Sequence, residues 1–212
     1  MFKKLRLQCQ FVKKMAFSPS TDKIDGMIRL IAALGNPGSE YAHTRHNAAW
    51  VMMDVWSAAH PTLPWKVDRE YNAFRSEAVL GENRVWLLKP LTFMNLSGEA
   101  IRAFTWFYKI QPEELLVIHD EVAFDVGQMR LSFGGSSGGH NGMESIIQAL
   151  GARELWRLRL GMGPRMPDLT LTEWVLGPLG DEAEKWLKSE KTLETIDMII
   201  KDGPETAQGK IN

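Results

Sequence analysis

The stretch Leu34-Gly35-Asn36-Pro37-Gly38-Ser39-Glu40-Tyr41-Ala42-His43-Thr44-Arg45-His46-Asn47 ends one element, turns, and begins another. Before it runs an apolar segment, Met27 to Leu34, broken only by Arg29. That segment has the character of a buried strand. The Gly-Asn-Pro-Gly turn lies at its carboxyl end, where open α/β sheets form their ligand crevices. Thr44 predicts a helix cap, which puts His46 at the second or third helical position. There the positive end of the helix dipole disfavours imidazolium and favours a ring ready to accept a proton. A histidine at a helix start also serves as a plain surface or capping residue, so a partner is needed to decide between the two.

Outward from that stretch, Thr44 to Ala59 reads as a helix closed by His60-Pro61. Phe74–Leu80 and Arg84–Leu88 read as a hairpin around Gly-Glu-Asn, and Asn95–Tyr108 as an amphipathic helix. Glu114–His119, Gln128–Phe133 and Trp156–Gly161 read as strands. A glycine-rich loop, Gly134 to Gly139, leads into a helix from Asn141 to Leu150, and Asp181–Ile200 reads as one C-terminal helix. The alternation predicts an α/β fold: a single domain with a twisted, mixed, mostly parallel sheet flanked by helices on both faces.

The chain has 212 residues, 44% of them hydrophobic, enough to bury one sizeable core. Its single cysteine, Cys9, excludes an internal disulfide framework and suits a reducing compartment. No apolar stretch is long enough to span a bilayer. The net charge of −1 is unevenly spread: residues 1–26 carry six Lys/Arg against two acids, and residues beyond 180 carry eight acids against five bases. A nucleic-acid partner must therefore use a local basic patch, because global charge does not argue for one. Residues 1–26 read as a disordered extension or an over-called start, ahead of a partner-contacting arm or a targeting peptide. Residues 27–212 read as a single domain.

Asp120 is the candidate partner for His46, since it ends the Leu115–His119 strand on the same crevice edge as Asn36. An aspartate that fixes a histidine tautomer is the working core of many hydrolytic sites, although a turn-initiating role fits Asp120 as well. Asn36, Asn95 and Asn141 each sit at a junction where turns and caps favour asparagine; together they can line one crevice with paired donors and acceptors. His119-Asp120-Glu121 argues weakly for a metal, because adjacent strand residues point in opposite directions. Ser136 and Ser137 lie within the glycine-rich loop and not on a nucleophile elbow, and that loop lacks the Gly-Lys-Ser/Thr ending of a phosphate-binding loop. Arg157 and Arg159 share one strand face, and Arg130 shares another with Gln128 and Ser132. These arginines suit either a phosphate clamp or a solvated sheet end.

Four ordered blocks resemble the bacterial-type peptidyl-tRNA hydrolase family: Gly35-Asn36-Pro37-Gly38 with Tyr41 and Thr44-Arg45-His46-Asn47; Lys89 to Gly98; His119-Asp120-Glu121; and Gly138-Gly139-His140-Asn141-Gly142. Arg157 to Gly161 and Val175-Leu176-Gly177 extend the resemblance over about residues 28–200. It implies hydrolysis of the ester joining a peptide to the 3′ ribose of tRNA, by a cytoplasmic, monomeric enzyme of translation and ribosome rescue that uses no cofactor and no metal. It implies that His46 activates water and Asp120 is its partner. Asn36, Asn95, Asn141 and Asn47 become substrate-positioning amides, with Tyr41 and Met94 shaping the crevice and either Asn36 or Asn141 facing the oxyanion. Ala33 and Ala49 stand where the family commonly has glycine. Ser132 stands where many relatives carry a basic residue that helps hold tRNA phosphate, which leaves Arg130 and Arg159 as the phosphate-binding candidates, with Arg165 able to restore a charge. A catalytically silent RNA-binding relative and a small-molecule α/β esterase are the competing readings. The intact His46–Asp120 pair disfavours the first, and the missing nucleophile elbow the second.

Overall fold

Four residues in the middle of the sheet set its character: β1 (Leu30–Ala33) is buried on both faces, as a parallel central strand must be. The computed structural model describes residues 26–212, so the expectation for the N-terminal extension lies outside the described residues except at Gly26. Six further strands complete one sheet: β2 (Lys66–Asp68), β3 (Ala73–Leu80), β4 (Asn83–Pro90), β5 (Leu115–Asp125), β6 (Met129–Phe133) and β7 (Trp156–Gly163), in the order β2-β3-β4-β1-β5-β7-β6. The helices are α1 (Ala48–Ala59), α2 (Ser97–Tyr108), α3 (Asn141–Leu150), α4 (Leu171–Leu176), α5 (Asp181–Leu187), α6 (Glu190–Asp202) and α7 (Pro204–Ile211).

The sheet is mixed, as expected, but not mostly parallel. β4, β1, β5 and β7 run parallel, while the β2–β3, β3–β4 and β6–β7 pairs are antiparallel. The reason is connection length. Only Gly81-Glu82 separates β3 from β4, and so short a turn can join only antiparallel strands, whereas parallel neighbours need a crossover.

Alternate β1 side chains feed two cores. Ile31 and Ala33 pack with Met52, Met53 and Trp56 of α1 and Ile196, Ile199 and Ile200 of α6. Leu30, Ala32 and Leu34 pack with Ile101 and Phe104 of α2 and Met143 and Ile146 of α3. The chain therefore leaves β1 on one face and leaves β4 on the other, although the two strands are neighbours. Opposite exits from adjacent strands open a crevice at their carboxyl ends.

Several elements depart from the sequence expectation, among them the three-residue edge strand β2. The single C-terminal helix is broken where Ser189 accepts a hydrogen bond from the Thr192 N–H and starts α6, and α7 follows beyond Gly203. α4 was not expected, although Thr170 and Glu173 form a capping box that its Thr-x-x-Glu spacing spells out. The Thr44 hydroxyl does not cap a helix: it donates to the Tyr41 carbonyl, and a 3-10 turn, Arg45–Asn47, precedes α1.

Candidate active site

His46 enters the crevice on that 3-10 turn, which α4 holds from outside. The Arg45 guanidinium lies 3.7 Å over the Trp174 ring and donates to the Trp174 carbonyl at 3.0 Å, while the Arg45 N–H donates to the Gly177 carbonyl. Asp120 comes from β5, whose pairing to β7 continues past it. Nδ1 of His46 and Oδ1 of Asp120 are 2.8 Å apart, and the Asp120 side chain is 1% exposed. Burial alone would raise the Asp120 carboxyl, but His46 and His140 beside it hold it well below the usual carboxylate range. An ionised Asp120 can only accept. Nδ1 of His46 is therefore the donor, and Nε2, which has no hydrogen-bond partner among the described residues, carries the lone pair.

A second histidine, not singled out from the sequence, meets the same oxygen. His140 precedes α3, and its Nδ1 accepts the N–H groups of Gly142 at 3.1 Å and Met143 at 3.3 Å. Its proton must then sit on Nε2, which donates to Asp120 Oδ1 at 3.0 Å. His140 thus caps α3 and locks the aspartate but has no free nitrogen to act as a base. Its position in Gly-His-Asn-Gly, directly before a helix, is the signal that could have revealed it. His119 stacks edge-on to His140 at 4.6 Å and donates from Nδ1 to the Asp120 carbonyl. Burial, reinforced by the neighbouring His140, pushes the His119 imidazole down to about 3.

His46, Asp120 and His140 also form the one histidine–acid group among the described residues whose ligand atoms lie within 4.8 Å of one another. The metal candidates weighed from sequence were the adjacent His119-Asp120-Glu121; the group that converges draws its histidines from two other elements. Its contacts are those of hydrogen bonds, and the His140 Nε2 proton fixed by the α3 cap would have to leave for a metal to bind.

Asn36 sits 6% exposed in the turn after β1. Its Oδ1 accepts the Met94 N–H at 2.8 Å, so its Nδ2 is the end left to donate. Asn47 is used differently from the expectation that it touches substrate. Its Oδ1 accepts the Asn36 N–H and its Nδ2 donates to the Asn36 carbonyl, both at 2.9 Å, so its two polar atoms clamp the main chain of the turn. Met94 is buried beneath the crevice, and a Cβ at Gly142 would come within 2.5 Å of its sulfur, so the start of α3 can approach only as glycine. Asn95 and Asn141 are exposed at the starts of the Met94–Leu96 turn and of α3. Tyr41 meets Phe93 edge-on at 6.4 Å. A pocket of about 220 Å³ is lined by His46, Asp120, Glu121, His140, Asn141 and, from α4, Val175, among others.

The arginines divide. Arg157 is buried and donates to the carbonyls of Gly135 and Ser136, so it holds the glycine loop and is no ligand. Arg130 and Arg159 face each other across β6–β7, and both guanidinium groups lie over the Phe124 ring, at 4.8 and 4.9 Å. Arg159 also lies 3.7 Å from Glu121, on the pocket wall.

The family model for peptidyl-tRNA hydrolase matches residues 30–212. The chain belongs to the peptidyl-tRNA hydrolase family. A peptidyl-tRNA hydrolase of Elusimicrobium minutum is 39% identical over 193 residues, covering 88% of this chain and all of that protein. One from Delftia acidovorans is 42% identical over 187 residues, covering 88% of this chain and 87% of its own. The crystal structure of the Acinetobacter baumannii peptidyl-tRNA hydrolase superposes with a TM-score of 0.79 at 34% identity, covering 87% of this chain and 94% of that one. Membership makes the chain a hydrolase acting on ester bonds, with tRNA implied in its substrate.

Proposed function

We propose that residues 27–212 cleave the ester between a peptide and the 3′ ribose of tRNA by direct attack of water. Nε2 of His46 takes the proton of the attacking water as it adds to the ester carbonyl. Asp120 holds the ring in that tautomer and stabilises the imidazolium that forms. The proton then passes from His46 to the departing ribose oxygen, which releases tRNA and a free peptide. Asn36 is the donor to the developing oxyanion, because its Oδ1 is committed to Met94 and only N–H remains to offer. Asn95 and Asn141 position the peptide and ribose from the rim, Tyr41 packs at the peptide side, and Arg130 with Arg159 contacts a tRNA phosphate. The supporting observation is the 2.8 Å His46–Asp120 contact with the opposite ring nitrogen unused.

His46→Ala is expected to lower kcat for N-acylaminoacyl-tRNA by roughly 10²–10⁴, as for loss of a general base. Release of tRNA at the unmutated rate would sink the mechanism.

A further inference from the structure

A second groove lies away from this chemistry, at the far ends of the two helices whose starts carry Asn95 and Asn141. It has a volume of about 850 Å³ and lies between the carboxyl ends of α2 and α3. Thr105, Ile110 and Leu150 contribute to its lining. Arg102, Trp106 and Lys109 follow one another at spacings of four and three, so they form one stripe along α2 and its end. Trp106 is 84% exposed, an unusual position for so large an apolar surface. Arg102 and Lys109 are exposed on either side of it, and neither forms an ion pair among the described residues. A helix end of this polarity would by itself repel an anion. Here Arg29 already donates to the Tyr108 and Lys109 carbonyls, and the Lys109 N–H turns back onto α2, so the terminal carbonyls are largely met.

We propose that this groove is a second contact for the RNA part of the substrate. The Trp106 ring stacks on an accessible base or ribose, while Arg102 and Lys109 flank the phosphates next to it. An aromatic platform between two cations matches the backbone-tracking recognition of nucleic acid, in which stacking tolerates any base. At 1.5 Å per residue, Asn95 and Trp106 are roughly 16 Å apart along α2. That is about five nucleotide steps at roughly 3.4 Å each, so one tRNA reaches both places. The inference rests on the tRNA ester reading above.

Two substrates separate the possibilities: full-length N-acetylaminoacyl-tRNA, and the same ester on a trinucleotide too short to reach the groove. Trp106→Ala and the double variant Arg102→Glu, Lys109→Glu should raise KM for the full tRNA by about 5- to 100-fold with kcat unchanged. Both should leave the trinucleotide untouched, and Trp106→Tyr should recover most of the loss. An unchanged KM for full-length tRNA overturns the proposal and leaves the groove to a protein partner or to none. An equal loss on both substrates also overturns it, since the effect would then run through α2 to Asn95. If the wild-type enzyme cleaves neither substrate, the ester reading fails by itself. Titration of uncharged tRNA against wild type and Trp106→Ala then decides the groove independently, and equal affinities reject it.

Discussion

Two polar regions flank the same pocket and are built on opposite principles. Around Asp120, neighbours place the working groups: two histidines share Oδ1, His140 is fixed by the α3 N–H groups, and Asn36 is clamped by Asn47. At the β6–β7 edge, Arg130 and Arg159 rest on one phenyl ring, with Glu121 at 3.7 Å as the nearest counter-charge. The first arrangement leaves one nitrogen and one amide end to do chemistry, with no reorganisation required as charge develops. The second holds two charges by few contacts, which suits a bulky, hydrated polyanion. Rigidity belongs where atoms must meet within tenths of an ångström, and looseness where a charge need only be near.

Replacing Asp120 breaks the rigid side most severely. Asp120→Asn removes the acceptor that selects the His46 tautomer and is expected to lower kcat by about 10²–10⁴ with little change in KM. Steady-state kinetics on N-acylaminoacyl-tRNA would show it, and a pure KM effect would contradict the role. A smaller effect tests how closed that region is. An unfolded histidine titrates near 6.5, whereas His119 is pushed down to about 3, so between those values the unfolded chain binds a proton that the folded chain does not. Stability should therefore fall as pH drops through that window, by up to about 1.4 kcal/mol per pH unit. Asp120, whose carboxyl is held low, acts in the same direction only near and below its unfolded value of about 3.9, and Glu77, whose carboxyl burial raises, acts oppositely. The difference in urea midpoints between wild type and a His119 variant from about pH 6.5 to 4.5 therefore isolates His119. His119→Gln should flatten that slope; an unaltered slope would mean the ring is accessible to protons.

The loose side should respond least. Arg130→Ser with Arg159→Ser is expected to raise KM several-fold and to reduce the salt dependence of tRNA binding by about one unit of slope for each phosphate no longer neutralised. The wild-type slope should itself be modest, and one as steep as that of a protein neutralising about six to ten phosphates would refute so small a clamp.

Much of the rigid side was legible before any coordinates. Asn36 and His46 flank a turn with unmistakable punctuation, and Asp120 follows a run of buried aliphatics, although β5 continues past it to Asp125. The roles of His140, Asn47 and Arg157 were not legible, because each depends on which atom of a side chain faces which neighbour. Asn47 carries the same amide as Asn36, yet packing engages both polar atoms of Asn47 and only the oxygen of Asn36. The arginines of β7 alternate as expected, but alternation cannot say that the glycine loop folds over Arg157 and leaves Arg159 on the pocket edge. The antiparallel pairing was foreseeable at the Gly81-Glu82 turn and unforeseeable at β6, which pairs with β7 across an intervening helix.

By itself, the sequence determined the buried strand, the turn after it, the helix-and-strand alternation, and the ordered blocks that mark the family. These follow from local stereochemistry and from hydrophobic periodicity, which act over a few residues. Only the tertiary structure decided that His46 and His140 share one carboxylate and that the glycine loop folds over Arg157. Those facts depend on contacts between residues distant in the chain, and such contacts exist only once the two cores have closed around the sheet.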